Sequence, residues 1–195
     1  MKFIFLLLSY LVGSISWAII LGKIFRKEDI RDFGSGNAGA TNVLRTFGKN
    51  FAIATLLLDT LKGFLPSMIG YKLFGDVGLL LGGVGAVCGH NWPIYFNLKG
   101  GKGIATSLGV FIALSPLFAL TLILIFSIVV GITKMVSLGS IAAACTSVIK
   151  GIYYLVTKKY EVAALLIILG AIAIWRHRSN IHRIRMGQES KLGKK

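Results

Sequence analysis

The sequence predicts an all-α fold: a polytopic integral membrane helical bundle of seven transmembrane helices, with the N-terminus outside and the C-terminus cytoplasmic. Three observations predict it. Apolar residues fill 55% of the 195 positions and the mean hydropathy is +0.77, more oil than a soluble core of this size can hide. Stretches approaching ~20 apolar residues, the length that crosses ~30 Å of hydrocarbon, recur along the chain. Lysines and arginines gather in alternate connecting loops, as the positive-inside rule requires.

The first crossing is expected over 3–22. It follows Lys2 and has the look of a secretory signal, but its apolar run is long, and Lys23, Arg26 and Lys27 close it as a stop-transfer cluster, so it is expected to be retained. The second crossing runs over 51–74. The third, from Val77 to Gly89, is short, and Gly78, Gly82, Gly83 and Gly85 would let it approach its neighbours closely and cross tilted. The long stretch from Ile104 to Gly131 is interrupted by Ser115-Pro116. Proline removes a backbone donor and biases its predecessor toward extended backbone, so this stretch counts as two crossings. The segments 137–156 and 161–175 complete the set.

On that count the inner side collects Lys23, Arg26, Lys27, Arg31, Arg45 and Lys49, then Lys99 and Lys102, then Lys134, then the basic tail. The outer side keeps Lys2, Lys72, Lys158 and Lys159. A single crossing over 104–131 would divide the charge between two compartments, against the rule. The chain 1–195 thus reads as one transmembrane domain, with cytoplasmic loops at about 26–50, 90–103 and 132–137 and a tail at 176–195.

The formal charge of +15, from 22 basic and 7 acidic side chains, suits an anionic membrane surface or anionic substrates. With so much apolar sequence, nucleic acid is not expected as a partner. Cys88 and Cys145 lie apart in apolar segments, so neither a disulfide framework nor a zinc site is indicated. The histidines are His90, His177 and His182, and the seven carboxylates are scattered, so no metal and no cofactor is expected.

Three segments carry the polar chemistry. The first is Gly34-Ser35-Gly36-Asn37-Ala38-Gly39-Ala40-Thr41-Asn42, followed by Arg45. Glycines let successive amides point at one anion, Ser35, Thr41 and Asn42 add side-chain donors, and Arg45 offers a fork for a phosphate. The same residue types also suit a plain turn or helix cap.

The second is His90-Asn91-Trp92-Pro93-Ile94-Tyr95-Phe96-Asn97-Leu98-Lys99-Gly100-Gly101-Lys102-Gly103, leading into an apolar helix whose amino-terminal amides could hold a phosphate. It is not a Walker motif: Phe96 stands where the first glycine belongs, and Gly103 follows Lys102. An interfacial loop, with its aromatics at the headgroups and Lys99 and Lys102 snorkelling, is the competing reading. In the tail, His177 and Asn180 are three apart and could face one site, although a polybasic stretch also binds anionic lipid without further purpose. Ser137 and Ser140 are minor candidates on the same side. Within the membrane, Asp59 and Lys62 are expected to form a structural pair, while Lys150 stands alone.

GSGNAGATNVLR, GHNWPIYFNLKGGKGIAT and WRHRSNIHRIRMGQESK resemble, in order and spacing, the three signature motifs of the bacterial acyl-phosphate-dependent glycerol-3-phosphate acyltransferases, the PlsY family. Leu98 departs from the aromatic residue common there. The resemblance implies transfer of a fatty acyl group from acyl phosphate to the 1-hydroxyl of glycerol 3-phosphate, giving lysophosphatidic acid and phosphate, at the cytoplasmic side of the bacterial plasma (inner) membrane. Carried over by position, Ser35, His177 and Asn180 are the catalytic candidates. Arg45, Lys102, Gly36, Asn37, Gly39, Thr41, Asn42, His90, Lys99, Gly100, Gly101, Gly103 and Ser137 are the candidates for substrate and phosphate binding, and Glu189 is expected to be structural.

The implied partners are glycerol 3-phosphate, acyl phosphate, membrane lipid and an upstream acyl-phosphate-forming enzyme. Acyltransferases with a His-x4-Asp pair differ, since the aspartate position is Tyr95 after His90 and Gly187 after His182. Direct attack without an acyl-enzyme is expected. The alternatives are a membrane transporter or flippase for a phosphate-bearing anion, although no internal repeat is evident, and a noncatalytic scaffold.

Overall fold

The computed structural model describes residues 1–193. Its helices are α1 (Lys2–Gly13), α2 (Trp17–Phe25), α3 (Ala40–Thr46), α4 (Lys49–Asn91), α5 (Ile104–Leu114), α6 (Pro116–Thr133), α7 (Val136–Val156), α8 (Tyr160–Arg176) and α9 (Arg178–Arg185), with short 3-10 turns at Ile30–Asp32 and Ile94–Phe96. No strand occurs among the described residues. They form two compact units that part between Leu114 and Ser115.

Each expected apolar segment is helical, with differences in detail. Segment 3–22 is not one helix. It breaks at 14–16, where Ser14 Oγ donates back to the Tyr10 carbonyl at 2.8 Å, and α2 continues to Phe25. The second and third segments join as α4, which reverses at Gly75 (φ 61°, ψ −145°), a conformation glycine adopts without a Cβ penalty. The two arms then run antiparallel in contact, with Gly78 against Gly70, Gly82 against Pro66 and His90 beside Asp59. A Cβ at Gly78 would enter the Gly70 backbone, so the small residues here are what lets the arms touch.

The expected break at Ser115-Pro116 is present. Ser115 is extended (φ −165°, ψ 111°), its Oγ accepts from Phe118 N at 3.3 Å, and Pro116 opens α6 at a position where a missing N–H is harmless. By length and composition, Lys2–Phe25, Lys49–Phe96, Pro116–Thr133 and Val136–Val156 can each cross a bilayer, and Tyr160–Arg176 joins Arg178–Arg185 as a pair bent by 54°. The 48 residues of Lys49–Phe96 would extend ~72 Å if straight, more than two crossings' worth, and Gly75 divides them. The helix α5, of 11 residues, reaches only ~16 Å. The expectation of seven crossings therefore meets segments shorter than a straight ~30 Å span requires, α5 most of all, and α8 too, whose 17 residues reach ~26 Å.

Many large apolar side chains face outward, among them Phe3, Leu57, Leu117, Leu124, Ile128, Ile132 and Ile149, the pattern of helices whose solvent is lipid. In the first unit a small apolar core of Ala18, Ile19, Ile30, Ala38, Val43, Phe47 and Ala52, with Phe51 and Phe96 packed on it, lies beneath the first polar segment. In the second unit α7 and α8 pack antiparallel: Gly151 meets Ala163 and Ile167, Gly170 meets Ala144 and Val148, and Ser147 Oγ donates to the Leu166 carbonyl at 3.0 Å.

Candidate active site

The first motif is an ordered turn leading into α3. Gly34 and Gly36 have φ of 58° and 68°, which open the chain into a concave turn. Its organiser is Asn42, 2% exposed. The Asn42 Nδ2 group donates to the Ile30 and Phe33 carbonyls at 3.1 and 3.0 Å, and Oδ1 accepts from Ser35 N at 3.0 Å. The sequence placed Asn42 among the phosphate donors. Both its N–H groups are instead committed to the loop, so its part is to shape the turn. Ser35, Gly36 and Arg45 are exposed, and Asn37, Gly39 and Thr41 are partly so, which leaves these expected ligand-facing groups at the surface of the turn.

The second motif folds against the first. Asn97 and Leu98 both adopt left-handed φ (56° and 58°), turning the chain sharply ahead of Lys99. Gly101 N donates to the His90 carbonyl at 3.1 Å. A Cβ on Gly101 would overlap His90 Nε2 and stand 3.0 Å from the Ala38 carbonyl, so backbone of both motifs meets at this residue. Gly103 has φ 79° and lies against the Asn91 amide. Gly100, Gly101 and Gly103 are buried, Lys102 is partly exposed and Lys99 exposed, and α5 begins directly after, as the sequence predicted.

Arg31 ties the two motifs a second time. Its Nε and Nη2 grip Asp29 at 3.0 and 2.7 Å, and Nη1 donates to the Phe96 carbonyl at 2.9 Å and, more weakly, to that of Lys99 at 3.5 Å. These bonds hold the Asp29 carboxyl below its ordinary range against the opposing effect of burial. Sequence reasoning had counted Arg31 only as loop charge.

In the second unit, His177 joins α8 to α9 and is 3% exposed. Its Nδ1 lies 2.8 Å from the Ala173 carbonyl, which can only accept, so Nδ1 carries a proton and Nε2 is the basic nitrogen of the neutral ring. Glu189, on the returning tail, gathers three donors: Ser137 Oγ at 2.7 Å, Asn180 Nδ2 at 2.7 Å and Arg183 Nε at 2.8 Å. Burial opposes ionisation of this carboxyl, but those hydrogen bonds and the Arg183 charge outweigh it and hold the group below its ordinary value. Leu192 N closes the tail onto the Lys134 carbonyl at 2.8 Å. Glu189 thus fixes Ser137 and Asn180 relative to each other.

Residues 3–187 match the family model described as glycerol-3-phosphate acyltransferase. A glycerol-3-phosphate acyltransferase of Finegoldia magna is 47% identical over 185 residues, covering 95% of this chain and 93% of that one. Another, from Thermoanaerobacter pseudethanolicus, is 47% identical over 189 residues, covering 97% and 94%. The chain belongs to the glycerol-3-phosphate acyltransferase family.

Among solved structures, the crystal structure of PlsY, an integral membrane glycerol 3-phosphate acyltransferase, in its glycerol 3-phosphate form superposes with a TM-score of 0.91 at 38% identity, covering 98% of this chain and 96% of that one. The lysophosphatidic acid form gives 0.87 at the same identity. The PlsY resemblance read from the three motifs is therefore correct: this is a membrane-embedded acyltransferase of glycerol 3-phosphate. The transporter alternative receives no support from these relatives.

Proposed function

We propose that the acyl donor is acyl phosphate and that the chain transfers its fatty acyl group to the 1-hydroxyl of glycerol 3-phosphate. The hydroxyl oxygen attacks the acyl carbonyl carbon, the bond from that carbon to the phosphate oxygen breaks, and lysophosphatidic acid and inorganic phosphate leave. The observation that carries this reading is the interlock of two glycine-rich turns at Gly101, where a Cβ would overlap His90 and crowd the Ala38 carbonyl, in motifs whose Ser35, Arg45 and Lys99 are exposed. Amides and cations at such a turn offset the repulsion between two anionic substrates and steady the developing oxyanion.

The donor is already an activated anhydride, so little base strength is required and no acyl-enzyme is needed. The proton passes to Nε2 of His177 or to a phosphate oxygen of the donor, and Ser137 and Asn180, held by Glu189, assist at the same reaction. That the second unit serves the same reaction rests on the family match, which runs through both units. The topology we assign is seven crossings of the bacterial inner membrane, amino terminus outside and site on the cytoplasmic side. The positive-inside distribution and the reversal at Gly75 support it. An enzyme that forms acyl phosphate must supply the donor.

The test is purified protein given glycerol 3-phosphate with acyl phosphate, acyl-coenzyme A or acyl-carrier protein in turn. Phosphate release matched by lysophosphatidic acid is expected from acyl phosphate alone. Transfer from a thioester, or none from acyl phosphate, would overturn the assignment, and an acyl group trapped on Ser35 would overturn the direct route.

A further inference from the structure

Beneath the 99–103 turn lies a charged group that the acyl-transfer reading leaves unused. Asp59 and Lys62 are one helical turn apart on the first arm of α4, with side chains 2% and 3% exposed and Nζ to Oδ1 at 2.8 Å. Lys62 Nζ also donates to the Ile15 carbonyl at 2.6 Å, in the break between α1 and α2. Removing two ions from water is costly, and packing alone is served as well by apolar residues of similar volume. The antiparallel arms of α4 bring a third group to this pair. His90 Nδ1 lies 3.7 Å from Asp59 Oδ1.

His90 in turn meets the glycine turn twice. Its carbonyl accepts from Gly101 N at 3.1 Å, and its Nε2 is the nearest atom to where a Cβ on Gly101 would stand. A single side chain thus joins the buried charges to the backbone of the turn.

We infer that Asp59 is a positioning residue for the phosphate-holding turn and acts through His90. The carboxylate favours a proton on Nδ1 and fixes the rotation of the ring, so Nε2 stays against Gly101 and the amides of 100–103 keep one direction. Lys62 balances the carboxylate, which lets the charge persist out of water. The inference rests on the reading of that turn as the holder of a substrate phosphate.

The variant Asp59→Asn/Lys62→Met removes both charges together and avoids stranding a lone buried ion. Acyl phosphate and glycerol 3-phosphate are each titrated against it. The KM for one of them is expected to rise about tenfold while kcat stays within about twofold, the signature of lost binding rather than lost chemistry. His90→Gln is expected to do the same, and the triple variant no more than either, because both effects travel one path. Losses that multiply in the triple variant, or an unchanged KM in Asp59→Asn/Lys62→Met, would overturn the inference.

Lys102→Ala separates the two levels. If it raises KM while the charge-free variant does not, only the role of Asp59 fails. If Lys102→Ala, His90→Gln and the charge-free variant all leave KM unmoved, the turn does not hold phosphate. Should the charge-free variant not fold, the nitrogen-15 histidine spectrum of the wild-type protein decides. The signal lost in His90→Gln must show a protonated Nδ1, and a ring protonated at Nε2 alone would overturn the inference.

Discussion

Alanine at Gly101 probes the turn at its tightest point. The added Cβ would overlap His90 Nε2 and Cε1 and stand 3.0 Å from the Ala38 carbonyl. Neither neighbour is a loose end. His90 is held between Asp59 and its own carbonyl bond to Gly101, and Ala38 is 0% exposed in the small apolar core. The turn must therefore move, by on the order of 1 Å, and a displacement of that size in a positioning group costs roughly 100-fold in rate.

The expected fall in kcat/KM of roughly 100-fold corresponds to about 2.7 kcal/mol of transition-state stabilisation. Helicity should hold, because the Gly101 backbone is not in the left-handed region, while the overlap itself should lower stability by about 1–3 kcal/mol. The assay is phosphate release with parallel detection of lysophosphatidic acid. Gly131→Ala in α6, whose Cβ meets nothing within 4 Å, is the matched control and should be neutral or more stable by about 0.5–1 kcal/mol. A Gly101→Ala enzyme within about threefold of the parent kcat/KM would refute the reasoning.

Glu189 has a folded pKa below its ordinary 4.5, so the stability it contributes is present above that value and is lost as pH falls through the folded pKa. Melting of wild type and Glu189→Gln in detergent should show a constant gap from neutrality to about pH 5 that closes in stronger acid, and a gap unchanged at pH 3 would contradict this. Asn42→Ala strips partners from Ser35 N and from the Ile30 and Phe33 carbonyls, so we expect a loss of about 2–4 kcal/mol and faster proteolysis within 30–42, both measurable on purified protein. Gly78→Val should force the arms of α4 apart against Gly70, costing ~3 kcal/mol or more and lowering the folded yield, read by size-exclusion profile.

The local parts of the fold were legible because single residues decide them. Ser115-Pro116 ends one helix and caps the next, and the glycines before Ile104 release the chain into α5. The break at 14–16 was hidden because Gly13 and Ser14 sit inside an unbroken apolar run, where either residue is equally at home in a membrane helix. The reversal falls in the gap the sequence left between 51–74 and Val77, but its confinement to one residue was hidden, because Gly75 looks no different in sequence from the packing glycines around it.

In the site, the types of residue were legible and their partners were not. Asn42 reads as a donor for any acceptor, and only the fold shows that backbone carbonyls of the same loop take both its N–H groups. Arg31 lies two residues from Asp29, a spacing with no periodic meaning, and its other acceptors are main-chain oxygens 65 and 68 residues away, which no side-chain pattern announces. The expected Asp59–Lys62 pair is present, but its extension to His90 depends on the antiparallel register of α4.

The proposal at the centre of this account is that the first two motifs and the basic tail take part in one acyl-transfer reaction and face the cytoplasm, and the family match through both units supports it. Its most direct test places single cysteines at Ser35, Lys99 and Ser179, all exposed, in a chain whose Cys88 and Cys145 are replaced by serine. A membrane-impermeant thiol reagent is applied to inside-out and right-side-out vesicles, with and without glycerol 3-phosphate and acyl phosphate. All three positions should label only from the cytoplasmic side and all three should be slowed by substrate. Labelling of any one from the outer side, or a tail cysteine indifferent to both substrates, would contradict the account.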